Sequence, residues 1–142
     1  MKRLLFPAVA IALLPACGVM DLARQSRHDE VSFERQVKPI LETSCLECHQ
    51  PRYLTGGLNL ETKATAMKGG RSGPVIVPGS PHKSLLYRVL LLGHESPVAM
   101  PPTPERLDRD YEQIIHDWIQ QGAKWPDGVR LVPPQEWKKP RA

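Results

Sequence analysis

Cys45-Leu46-Glu47-Cys48-His49 is the stretch on which the reading of this chain turns. It has the form C-x-x-C-H, the pattern for covalent haem attachment. Two thiols one helical turn apart can add across the two vinyl groups on one edge of a haem. The next residue, His49, then offers an imidazole nitrogen to the iron as proximal ligand. Other uses of these residues fit the rest of the chain less well. A redox-active cysteine pair belongs in a βαβ context, and none surrounds this one. A zinc site asks for a second Cys or His pair at suitable spacing. The chain has no other Cys-x-x-Cys and no His-x-x-x-His.

On both sides of the motif the hydrophobic pattern is helical. Phe33, Val37, Ile40 and Leu41 fall on one face, with Ser32 as N-cap and Glu34 in the first turn, predicting a helix over 32–44 that runs straight into Cys45. Pro39 has no N–H to bond back to Arg35, so the helix should kink there or start later. After His49, residues 50–60 read as loop. Gly56 and Gly57 allow left-handed angles or a close approach to a flat surface, and Leu58 and Leu60 should cover a haem edge or the core. A short helix is expected over 62–68, ended by Gly69-Gly70. Residues 73–79 (GPVIVPG) should form an extended segment along the core, being too rich in Pro and Gly for a strand. Ser80-Pro81 predicts the start of a helix running to about Leu92, with Leu85, Leu86, Val89 and Leu90 buried. The clearest helix follows Asp108: Tyr111, Ile114, Ile115, Trp118 and Ile119 share one face, and Gly122 closes it.

At 142 residues the chain suits one domain with appendages. Aromatics are few and prolines many, so a protein core alone would be modest and a buried porphyrin would enlarge it. The net charge of +4 is not arranged as a basic stripe with interleaved aromatics, which argues against nucleic acid. No Ser/His/Asp arrangement, phosphate loop or paired-carboxylate motif stands out, so no hydrolase is expected.

Of three cysteines, two sit in the motif and the third is Cys17. Lys2 and Arg3 followed by apolar residues 4–14 look like an export signal. Leu14-Pro15-Ala16-Cys17 resembles the lipobox of bacterial lipoproteins, although Pro15 departs from the small or β-branched residue usual there. The expectation is a signal peptide over 1–16, a lipidated Cys17 that anchors the chain to a membrane, and a polar tether over 17–31 containing His28. A plain cleaved signal and an uncleaved anchor are the rivals. Residues 4–20 are short and Pro-interrupted for a span of about 20 apolar residues. Export suits the motif, because bacterial haem attachment takes place outside the cytoplasmic membrane. The domain is expected over 32–126 and a Pro-rich basic tail over 127–142.

A haem held by one histidine needs a second axial ligand for electron transfer, or an open position for chemistry on small molecules. Met100, Met67, His82, His94 and His116 are the candidates. Met100 leads: its loop joins the last two helices, far from His49, and Pro101 and Pro102 restrict its backbone. A gap-filling core methionine is the bland alternative, and His94 is the rival ligand. Thioether ligation would raise the reduction potential relative to two histidines.

Taken together, residues 33–126 resemble the planctomycete-type cytochrome c domain, a branch of the class I c-type cytochromes. The resemblance rests on Phe33, Val37-Lys38-Pro39-Ile40-Leu41, the Cys45–His49 motif and Gly56-Gly57-Leu58-Asn59-Leu60. It continues through Gly69-Gly70, residues 73–79, Ser84-Leu85-Leu86, Met100-Pro101-Pro102, Trp118-Ile119 and residues 122–126. Asp108-Arg109 stands where that family often has Thr-Pro. The resemblance implies an all-α fold of about four helices round one haem c bound through Cys45 and Cys48, with His49 proximal and Met100 distal. The expected role is a one-electron carrier on the periplasmic side of the bacterial cell envelope, serving redox protein partners as donor and acceptor, and not an enzyme. A haem subunit serving a periplasmic oxidoreductase is the first alternative. A haem enzyme or sensor with a displaceable distal ligand is the second.

Overall fold

The helix expected from Ser32 forms in two parts, and Pro39 is the reason. In the computed structural model, which describes residues 30–104 and 106–134, the chain first makes a wide π-helical turn over Phe33–Val37. The α-helix α1 then runs over Lys38–Ser44. Pro39 is thus the second residue of α1, a position whose N–H has no partner within the helix. The Ser32 hydroxyl caps the entry by accepting from the Arg35 amide at 3.4 Å. The expected signal segment 1–16, Cys17, residues 18–29 with His28, and residues 135–142 lie outside the described residues.

Three further α-helices follow: α2 (Lys63–Lys68), α3 (Leu85–Leu90) and α4 (Arg109–Gln120). No strand occurs among the described residues, only the isolated bridges Thr62–Arg130 and Gly70–Gly73. The domain is mostly helical, as expected. The cap of α2 is a reciprocal pair, since Thr62 Oγ1 accepts from Thr65 N at 3.2 Å and Thr65 Oγ1 from Thr62 N at 3.3 Å. Gly69 stops α2 at φ +80, and a side chain there would meet the Gly73 carbonyl oxygen.

The helix expected from Ser80 to Leu92 is broken. A 3₁₀ turn over Pro81–Lys83 comes first, and α3 begins at Leu85. Ser84 is the cause. It is extended, completely buried, and ties two segments together. Its Oγ accepts from Val77 N at 2.8 Å and donates to the Ser80 carbonyl at 3.0 Å. A buried hydroxyl satisfied on both sides outweighs helix continuity at that point. Ser80 itself makes no side-chain cap. Leu86 N then bonds to the Val75 carbonyl at 3.0 Å, which lays the extended segment 73–79 along α3.

The core joins α1, α4 and the extended segments. Trp118 and Ile119 of α4 are buried, and Phe33 stacks on Trp125 with ring centroids 4.3 Å apart. Both buried indoles donate to carbonyls: Trp118 Nε1 to Lys124 and Trp125 Nε1 to Val129, each at 2.9 Å. Tyr111, expected on the buried face of α4, is 47% exposed. It lies in the first turn, ahead of the stretch where the helix meets the core. Asp108 caps α4 by accepting from Asp110 N at 2.9 Å, and Gly122 closes it at φ +98.

Packing continues past both expected domain ends. Val31 packs against the core, and Glu30 pairs with Lys124 at 2.6 Å. Leu131, placed in the expected tail, is 1% exposed. Its amide bonds to the Glu61 carbonyl at 2.9 Å, and Arg130 pairs with Glu61 at 2.8 Å.

Candidate haem site

Cys45 stands at the C-cap of α1, with its amide bonded to the Leu41 carbonyl at 3.1 Å. The chain continues in turns, so that Leu46 is buried in the core while Cys45, Cys48 and His49 face a large cavity. The cavity measures about 510 Å³, within the range of about 300–1,000 Å³ usual for cofactor pockets. Its walls are mainly aliphatic: Leu58 and Leu60 from the loop after the motif, Val75 from the extended segment, and Leu86, Val89 and Leu90 from α3. Met100 lines the same cavity. The structure therefore brings the two thiols, the imidazole and the thioether sulfur to one apolar space.

His49 is held in three ways. Its carbonyl accepts from Leu60 N at 2.8 Å, and its amide donates to the Cys45 carbonyl at 3.2 Å. Its ring Nδ1 lies 3.0 Å from the Thr55 carbonyl oxygen. A carbonyl can only accept, so Nδ1 carries the proton and Nε2 keeps a free lone pair. This is the outer contact by which proteins commonly orient a ligating histidine. Burial lowers the imidazole pKa below its ordinary value, and the bond to Thr55 opposes part of that. Burial, the larger influence, favours the neutral ring, and the Thr55 bond sets which nitrogen carries its proton, leaving Nε2 toward a ligand.

Met100 is fixed by its main chain, with its amide bonded to the Val89 carbonyl of α3 at 3.0 Å. The Met100–Pro101 peptide is cis. The other candidate ligands lie elsewhere. His94 lines two separate cavities, one with Pro101 and Pro102 and one with Tyr87 and Leu107. Met67 packs against the core from α2. His82 and His116 meet each other and Tyr87 in a ring cluster with centroids 5.2–6.0 Å apart. His116 Nδ1 there contacts Asp117 Oδ1 at 2.8 Å.

Burial pushes the Cys45 thiol pKa up to about 12, with the neighbouring Cys48 adding to the effect. Cys45 and Cys48 are not joined in a disulfide. Gly70 forms part of the wall, where a side chain would meet the Gly56 carbonyl oxygen at 2.8 Å. Leu91 and Val98 line the cavity and are also exposed, so the cavity opens to solvent beside them. The donor set fits a c-type haem: an imidazole with a free nitrogen, a thioether sulfur, two thiols and an apolar cleft.

A family model described as planctomycete cytochrome C matches residues 45–104. Over that stretch the chain is similar to the planctomycete cytochrome C family. The family implies haem c, and the match takes in every cavity-lining candidate from Cys45 to Met100. It is narrower than the resemblance seen over 33–126. The π-turn, α1 and α4 fall outside it, and their place in the domain rests on the packing of Phe33, Trp118 and Trp125. No curated protein and no solved structure matches the chain.

Three contributors to the cavity were missed from the sequence. The Thr55 carbonyl and the Leu60 amide act through the backbone, which leaves no residue-type signal. Arg88 did leave one: it sits three residues after Leu85, a charge beside the apolar face of α3.

Proposed function

We propose that the chain is a one-electron carrier of the bacterial cell envelope. One haem c is held through Cys45 and Cys48, with His49 and Met100 as axial ligands. The observation that carries this is selective: of the five candidates for the second ligand, Met100 alone lines the cavity that His49 lines. The haem supplies the ferric–ferrous couple, and the chain supplies ligands, burial and access. His49 is oriented by Thr55, Met100 by Val89, and the aliphatic wall keeps water from the interior of the cleft. The exposed rim at Leu91 and Val98 supports an edge that a redox partner can reach.

Cys17, acylated, tethers the carrier to the membrane on the periplasmic side, and redox proteins there donate and accept its electrons. No helix among the described residues is long and apolar enough to cross a membrane.

The test is an absorption spectrum of protein matured in cells that attach haem. The expected result is low-spin haem with a thioether ligand in both oxidation states and no carbon monoxide binding. A high-spin ferrous form that binds carbon monoxide readily, or a Met100→Ala variant with an unchanged spectrum, sinks the assignment. Cell fractionation of Cys17→Ala tests the tether separately, and retention in the membrane fraction counts against it.

A further inference from the structure

Arg88 lines the haem cavity and is the only Asp, Glu, Lys or Arg in its lining among the described residues. Its side chain has no hydrogen bond or ion pair with any described residue. Four other cations are ion-paired, Lys38 with Glu42, Lys63 with Asp127, Lys124 with Glu30, and Arg130 with Glu61, whereas Arg88 is exposed at the cavity wall. The backbone that carries Arg88 is fixed. Its amide bonds to the Ser84 carbonyl at 3.1 Å, and the next residue, Val89, holds Met100.

A haem brings two carboxylates as well as a flat apolar ring. A carboxylate set against an aliphatic wall is costly unless it meets a cation or several donors. The polar side chains in this lining, apart from the proposed haem ligands, are the hydroxyls of Ser44, Thr55 and Ser72 and the guanidinium of Arg88. A guanidinium matches a carboxylate through two parallel hydrogen bonds.

We infer that Arg88 is the counter-charge for a haem propionate. This rests on the proposed haem site. Held there, Arg88 keeps the carboxylate ionised to lower pH. Its positive charge also disfavours the ferric state relative to the ferrous, which raises the reduction potential. The plainer role, a cation in the last turn of α3 that favours the helix dipole, acts on stability and not on the iron.

The experiment is a spectroelectrochemical titration of haem-loaded protein across pH 5–8, comparing wild type with R88Q, R88K and R71Q. Arg71 is the control: an exposed arginine between two lining residues, Gly70 and Ser72, but not itself in the lining. In R88Q the midpoint potential is expected to fall. The pH at which the potential bends should rise, because the carboxylate has lost its partner. R88K should recover most of the potential, and R71Q should change neither quantity. A wild-type potential and profile in R88Q, or the same shift in R71Q, overturns the assignment. Should R88Q yield no haem-loaded protein, R88K against R71Q decides. Lysine keeps the charge but not the two parallel hydrogen bonds, so a small upward displacement of the bend in R88K alone supports the pairing, and no displacement, or the same one in R71Q, refutes it. The wild-type spectrum tests the haem reading independently, so an unshifted R88Q with intact axial ligation counts against Arg88 alone.

Discussion

Replacing Leu131 by Ala tests whether residues beyond Pro126 belong to the packed domain. Leu131 is 1% exposed, and its amide is bonded to the Glu61 carbonyl. The substitution removes most of a buried side chain and leaves a cavity, a change that costs about 2–5 kcal/mol in well-packed sites. Leu131 lies in an irregular segment that can close partly over the gap, so we expect the lower half of that range, about 2–3 kcal/mol. Against a total stability of about 5–15 kcal/mol this is a large fraction. For a domain of this size it corresponds to a fall in Tm of about 8–20 °C. The neighbouring Val132 is 50% exposed, and Val132→Ala should stay within about 0.5 kcal/mol. Denaturant unfolding of the haem-loaded proteins, followed by far-ultraviolet circular dichroism, measures both. If L131A costs no more than V132A, the packing of Leu131 does not hold the domain together.

Gly69→Ala places a methyl group against the Gly73 carbonyl at φ +80, ψ −166, a conformation open essentially to glycine alone. A loss of about 3 kcal/mol or more is expected in the same unfolding assay, and a loss below about 1 kcal/mol refutes the close approach. Ser84→Ala removes the acceptor of the Val77 amide, for an expected cost of about 1–3 kcal/mol. Amide exchange should quicken at Val77, and unchanged exchange there would show that the hydroxyl does not bridge the two segments. In the haem-free chain, Cys45 with a pKa of about 12 is about one part in ten thousand thiolate at pH 8, whereas an ordinary thiol is about a quarter ionised. Its alkylation, mapped by mass spectrometry, should therefore lag behind that of exposed Cys48 and quicken about tenfold per pH unit up to pH 11; equal rates at pH 8 refute this. The raised pKa also sets a stability trend for that chain. The contribution of the buried thiol is full below pH 8 and is lost as pH rises from about 9 through 12.

Much of the fold could be read from residue order because its signals are local. The Ser32 and Asp108 caps, the stop at Gly69 and the apolar face of α4 each lie within a few residues of the structure they specify. The motif and Met100 were likewise readable as residue types, although the cavity they share is a product of the tertiary fold. What was missed depends on distant partners. Ser84 breaks the expected 80–92 helix because its hydroxyl meets Val77, and nothing in its immediate neighbours announces that bond. Leu131 lies just ahead of Pro133-Pro134 in a stretch that looks like a solvated tail, but Glu61 gives it a place to dock. Tyr111 keeps the helical period and still faces solvent, since periodicity marks a stripe and not how far the core extends along it.

The bond from the Met100 amide to Val89 has a consequence for how such a chain can vary. Residues 91–99 leave α3 and return to it, so they form an excursion whose two ends are joined at the helix. Insertions or deletions within that excursion should leave the sulfur where α3 puts it. Substitutions that shift α3 should move the sulfur even though they lie outside the loop. The place of the methionine is thus inherited from a helix, and the excursion between its two tied ends is free to diversify without moving it.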